Sequence, residues 1–256
     1  MCFHDCGCKA SKKNGIKKLK SGSLPAKVDS VKQKEFYAKV LHPHFLRAEE
    51  GTETLLFLDA SHFVMGGDFL GYGYGKTRRF LTSFSGRMCY NVLGAIDFAT
   101  KEVFTVTNTS YITATQVCEL LQKISVAYKN KTVFMVLDNA RYQKCNAVQE
   151  LANRLHNSLV YLSPYSPNLN LIERLWKFVK GELRKQYYDD FTQFQQKIDT
   201  ILDNVCNKKE KISKLINKEV QLFDDLKEIC PNTFVPTKPR KKKTKNCINS
   251  GKLYHD

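Results

Sequence analysis

Long apolar runs are missing from this chain. None approaches the ~18 residues that a membrane-spanning helix needs, and no apolar stretch follows the first charges of the amino-terminal segment, so neither a span nor a secretory signal is expected. Acidic residues are scarce beside basic ones: 25 Asp and Glu face 41 Lys and Arg, a net charge of +16. The imbalance is concentrated at the ends. Residues 1–20 hold six Lys and one Asp, and residues 238–256 hold seven Lys or Arg and one Asp, so the body between them is only mildly basic. Such ends suit a polyanion, because each phosphate neutralised releases condensed counterions, although basic tails also serve plain solubility. No internal repeat is present. The nine cysteines are odd in number and scattered, which is no disulfide framework. Cys89, Cys118, Cys145 and Cys206 sit inside apolar patterns and read as reduced, buried thiols, which fits a cytoplasmic protein. Cys2, His4, Cys6 and Cys8 form a cluster without the second knuckle of a zinc site and read as a floppy terminus.

What is present is enough apolar material for a core, 42% of 256 residues. Residues 1–30 read as a basic tail or linker and residues 231–256 as a basic disordered tail. Between them lie a core domain over 31–205 and a helical extension over 206–230. Residues 31–42 look helical up to Pro43. Leu55-Leu56-Phe57-Leu58-Asp59 is a short apolar strand, residues 66–75 are turn-rich, and 89–98 and 103–107 are two strands joined at Ala99-Thr100-Lys101. A helical stripe over 113–128 precedes a second apolar strand, Val133-Phe134-Met135-Val136-Leu137. A helix over 145–156, a strand over 159–162, and helices over 170–186, 191–205 and 212–229 follow. Strands first, then alternating helix and strand, predict an α/β fold with a mixed sheet covered by helices.

Two of the apolar strands end in aspartate, Asp59 and Asp138. A strand apolar on both faces belongs in the middle of a sheet. If the two strands are neighbours, both carboxylates emerge together, where ligands bind in open α/β sheets. Two close carboxylates repel unless a cation sits between them, and a hard divalent ion with oxygen ligands resolves this. Each aspartate is also open to a plainer reading, as a residue that starts a loop. Glu173 is the third candidate. It follows Ser163-Pro164-Tyr165-Ser166-Pro167-Asn168-Leu169-Asn170 and lies at a helix start, where it could complete a capping box with Asn170 or pair with Lys177.

The segment from Met135 through Asp138-Asn139, followed by Ser166, Pro167, Leu169, Asn170, Ile172, Glu173 and Trp176, closely resembles the DDE transposases of the mariner-like superfamily, in its bacterial insertion-sequence branch. In that family the second acid sits in an Asp-Asn strand end and the third in a Ser-Pro to Glu-x-x-Trp segment. Here 34 residues separate Asp138 from Glu173, which matches the superfamily's spacing, and the first acid maps to Asp59. The resemblance runs from about Leu24 to Ile201. It implies an RNase H-like fold with a mixed five-stranded sheet. It implies Asp59, Asp138 and Glu173 as catalytic acids and metal ligands, holding two Mg²⁺ or Mn²⁺ ions between them. It implies strand cleavage and strand transfer during DNA transposition, with transposon ends and target DNA as partners and a homodimer as the oligomer to consider.

Weaker signals surround this one. Gly71 to Thr77 imitates a phosphate-binding loop, but the motif's first glycine would have to be Leu70, and a strand-like Arg79-Phe80-Leu81-Thr82 follows, so a hairpin is expected. His62 could touch DNA or metal, or be an ordinary structural histidine. Arg174, Lys177, Lys180, Arg184 and Lys185 lie off the apolar stripe of their helix, a face that can follow a DNA backbone or simply be solvated. The run from Lys238 to Lys245 suits a nuclear-localisation signal or a DNA-gripping tail. Helix-turn-helix modules of the kind that precede such catalytic domains have no room before Asp59. A decayed, DNA-binding derivative of a transposase and a different RNase H-like nuclease are the competing readings.

Overall fold

The computed structural model describes residues 29–66, 88–129, 131–218, 220 and 222. The cysteine–histidine cluster, the expected hairpin, the basic tail at 231–256 and nearly all of the amino-terminal tail lie outside these residues.

Five strands form one mixed sheet: β1 (Thr54–Val64), β2 (Cys89–Asp97), β3 (Val103–Asn108), β4 (Val133–Leu137) and β5 (Asn157–Tyr161). The spatial order is β3-β2-β1-β4-β5. β1, β2 and β3 run antiparallel as a meander, while β4 and β5 lie parallel to β1. The expected α/β, RNase H-like five-stranded sheet is the one observed. The helices are α1 (Ser30–Phe36), α2 (His42–Glu49), α3 (Ala114–Ala127), α4 (Asn146–Arg154), α5 (Ile172–Leu183), α6 (Phe191–Asp203) and α7 (Lys209–Leu215).

Side-chain alternation divides β1 between two cores. Leu55, Phe57 and Phe63 point to one face, where they meet Phe45 of α2, Trp176 and Val179 of α5 and Ile198 of α6. Leu56 and Leu58 point to the other, against Val117, Leu120 and Leu121 of α3 and Val148 of α4. Cover on both faces is why β1 and β4 read as unbroken apolar runs.

Several element boundaries differ from the sequence reading. β1 does not end at Asp59 but runs on to Val64, because β2 pairs with it along that length. The first helix does not stop before Pro43. A wide π turn, Tyr37–Leu41, intervenes, with the His42 N–H donating to the Tyr37 carbonyl, and Pro43 falls in the first turn of α2, where no backbone donor is required. Of the helix expected over 212–229, residues 223–229 lie outside the described residues, and the described part ends at Leu215. There the Arg174 guanidinium donates to the carbonyls of Leu215 and Asn217 and to the Asn217 side chain, at 2.9, 3.3 and 2.8 Å, and so satisfies acceptors that a further helical turn would have used. The helix expected from 170 begins at Ile172, behind a tight turn at Pro167–Leu169.

Candidate active site

The parallel register of β1 and β4 pairs Phe57 with Val136. Two residues further on, the same offset sets Asp59 beside Asp138, on the face that α5 covers. Asp59 belongs to β1 itself, and Asp138 is the first residue beyond β4. Glu173 is the second residue of α5 and lies on the rim, open to solvent. All three line one cleft of about 430 Å³, whose remaining wall comes from Asn139, Ala140 and the loop from Leu162 to Pro167, with Asn170. Tyr165 in that loop is exposed and holds a left-handed backbone, φ 59°, a conformation that costs free energy outside glycine.

Each acid is held differently. Asp59 is 9% exposed. The indole N–H of Trp176 donates to its Oδ2 at 3.2 Å. Asp138 accepts the Ala140 N–H at 3.1 Å, and the neighbouring Asn139 amide donates to the Leu162 carbonyl at 2.5 Å, tying the β4 end to the end of β5. Glu173 is not in a capping box. Leu171 is the cap residue of α5 and makes no side-chain bond. The Asn170 amide turns away and donates to the Leu58 carbonyl at 3.1 Å, one residue before Asp59.

Burial pushes the Asp59 carboxyl up to about 7, helped by the charges of Glu173 and Asp138. Glu173 is raised too, by partial desolvation and by Asp138, against the pull of Lys180. Tyr142, on the turn after β4, is pushed up to about 12 by burial and by the Asp138 and Asp59 charges. Among the described residues none of the three acids has a basic side chain within ion-pair distance. Nor do three acidic, histidine or cysteine side chains there close on a common point. Three carboxylates lining one cleft, without a basic partner among the described residues, fit a hard divalent ion.

Of the other candidates, His62 does not join the site. It lies on the opposite face of β1 from Asp59, and its Nδ1 shares a hydrogen bond with Asn91 across the β1–β2 pair at 2.5 Å. Arg174 also lies at the second hollow, where its guanidinium donates to the Leu215 and Asn217 carbonyls at the end of α7. Lys180 is half-buried over the Phe63 ring at 5.8 Å. Lys185 pairs with Glu182. Lys177 is exposed and lines a second hollow of about 880 Å³ that shares Pro167, Asn170 and Glu173 with the acid cleft and carries Lys211 and Lys214 on its other wall. Sequence reasoning passed over these two lysines, and over Gly94 and Trp176 as neighbours of Asp59. The interior glycine of an apolar strand was the available signal, because it marks a close approach.

The sequence profile of the DDE superfamily endonucleases matches residues 54–195. The chain belongs to this family. The match begins at the first residue of β1, extends into α6 and contains all three acids. No curated protein sequence matches the chain. Among solved structures, the Mos1 mariner paired-end complex with Mn superposes with a TM-score of 0.58 at 13% identity, covering 82% of this chain and 68% of that one. The Mos1 transposase paired-end complex with left transposon end gives 0.57 at 13% identity, over 84% of this chain and 71% of that one. The paired-end complex with Mg gives 0.55 at 12% identity, over 84% and 72%. At these identities the likeness is one of fold.

Proposed function

We propose that this chain is the catalytic domain of a transposase that cuts DNA strands and joins their 3′ ends to target DNA by phosphoryl transfer. The observation that carries the proposal is the placement of Asp59 and Asp138 at neighbouring positions of two adjacent parallel strands, with Glu173 lining the same cleft. The Ser166 to Trp176 segment supports a place in the bacterial insertion-sequence branch, and with it the cytoplasm and nucleoid as the location. Its partners are transposon ends, target DNA and a second copy of the chain.

The three carboxylates would hold two Mg²⁺ or Mn²⁺ ions, which when bound help deprotonate the attacking oxygen and stabilise the leaving one. The protein's own work is positional. Trp176 fixes one carboxylate oxygen of Asp59 and the Ala140 N–H one of Asp138. Glu173, on the rim, can swing toward the pair. The cleft floor is rigid, because Asp59 is part of a central strand and Asn139 ties the β4 end to β5. Water or a 3′-hydroxyl attacks phosphorus, the P–O3′ bond breaks, and no side chain needs to become covalently attached. The lysine-lined hollow beside Glu173 would take the phosphodiester backbone as it leaves the cleft.

The test is Mg²⁺-dependent nicking of supercoiled DNA by the wild type and by Glu173→Gln and Asp138→Asn, with thermal melting alongside. Nicking should collapse in both variants while the fold survives. Undiminished nicking in Glu173→Gln removes it from the site. A wild type that binds DNA but never nicks favours the non-catalytic, DNA-binding derivative.

A further inference from the structure

The Asp59 carboxylate is gripped by a side chain far away in sequence. Trp176 is 1% exposed, and its indole N–H reaches Asp59 Oδ2 at 3.2 Å. The ring can lie that low only because the residue across from Asp59 in the β1–β2 pair is Gly94. A Cβ at Gly94 would come within 2.6 Å of the indole Cη2 and 2.9 Å of Cζ2. Phe63, on the same face of β1, packs edge-on against the indole with centroids 6.2 Å apart. The Asn170 amide grips the preceding residue from the other side, through the Leu58 carbonyl. Residues 170 and 176 thus flank Glu173 in sequence and bracket Asp59 in space.

We infer that Trp176 is a positioning residue for Asp59, seated in a slot that Gly94 leaves open, and that it occupies one carboxylate oxygen so that the other is presented to a divalent cation in the cleft. The inference rests on the metal-dependent reading above. It also accounts for why the segment carrying the third acid contains a tryptophan one turn beyond it: the same helix start delivers Glu173 and orders Asp59, so the two ligands are set by one rigid element. Removing a group that orients a metal-ligating side chain typically weakens metal binding by about 10–100-fold.

The experiment measures Mn²⁺ binding by calorimetry, without DNA, on the full chain. Trp176→Phe keeps an aromatic ring but loses the N–H, and should weaken Mn²⁺ binding by about tenfold or more. Gly94→Ala should do the same by forcing the indole off Asp59, and should also lower the melting temperature. In the Trp176→Phe background the smaller ring leaves room for the methyl group. There Gly94→Ala should cost little further in either measurement, the non-additivity expected of residues in contact. Val179→Ala, a truncation in the buried face of the same helix, should lower the melting temperature and leave Mn²⁺ affinity within twofold. Trp176→Phe binding Mn²⁺ like the wild type overturns the inference while leaving the catalytic reading intact. Equal loss in Val179→Ala overturns it too, as a sign that general loosening is responsible. A wild type that binds neither Mn²⁺ nor Mg²⁺ removes both.

Discussion

At the scale of the residue, Asp59 is a charge placed where water reaches it poorly and two other acids face it. Its carboxyl is raised to about 7 in the folded chain, against about 3.9 when unfolded. Between those values the folded protein keeps a proton that the unfolded chain has released, so stability falls as pH rises through the window. Glu173 shifts in the same direction and adds to the effect. Metal-free protein should therefore melt at lower temperature near pH 8 than near pH 5. Asp59→Asn, which can still accept from Trp176, should flatten that dependence and melt higher than the wild type at the alkaline end. A thermal-shift series across pH decides it, and a wild-type curve that rises with pH would contradict the assigned direction. Added Mg²⁺ should restore the lost stability in the wild type but less in the variant, since a ligand that binds only the folded state stabilises it.

At the scale of the element, the turn at Pro167–Leu169 aims the helix that carries Glu173. That turn is anchored from α1: Gln33 is fully buried and its amide donates to the Asn168 side chain at 2.9 Å. Gln33→Ala should cost about 1–3 kcal/mol, the usual result of leaving buried polar groups short of partners, and should speed amide exchange across 167–170 before the sheet is affected. Unchanged protection there would mean the turn is held from elsewhere. This tier also shows where sequence was readable. β1 and β4 are legible because both faces of each are covered, and Asp59 and Asp138 are legible as the acids that follow two apolar runs, but only Asp138 lies at a strand end, since pairing with β2 carries β1 on to Val64. The helix boundaries near Pro43 and Ile216 were not, because a π turn at Tyr37–Leu41 and the Arg174 guanidinium decide them. Asn170 looks like a helix cap from its neighbours alone, and only the fold offers it the Leu58 carbonyl instead. The pairing of Gly94 with Trp176 needs the sheet register, which no local pattern encodes.

At the scale of the whole molecule, the acid cleft opens beside a hollow flanked by Lys177, Lys211 and Lys214, in a chain of net charge +16. DNA affinity should fall steeply with salt. Replacing Lys177 and Lys214 together by Gln should lower the slope of log affinity against log salt by about 1.8 if both meet duplex phosphates. The same change at Lys129 and Lys131, exposed just before β4, should leave the slope as it was. Filter binding over a salt series separates these outcomes, and equal effects of the two pairs would reduce the hollow to bulk charge. Deleting residues 1–20 and 238–256 should flatten the slope as well. One further consequence is optical. The chain has a single tryptophan, and Trp176 is the one that touches Asp59. Its emission is therefore a built-in, label-free reporter one hydrogen bond behind the cleft. Filling the site with paramagnetic Mn²⁺ should quench it, diamagnetic Mg²⁺ should shift it without that quenching, and titrating either ion would read occupancy directly in the intact protein.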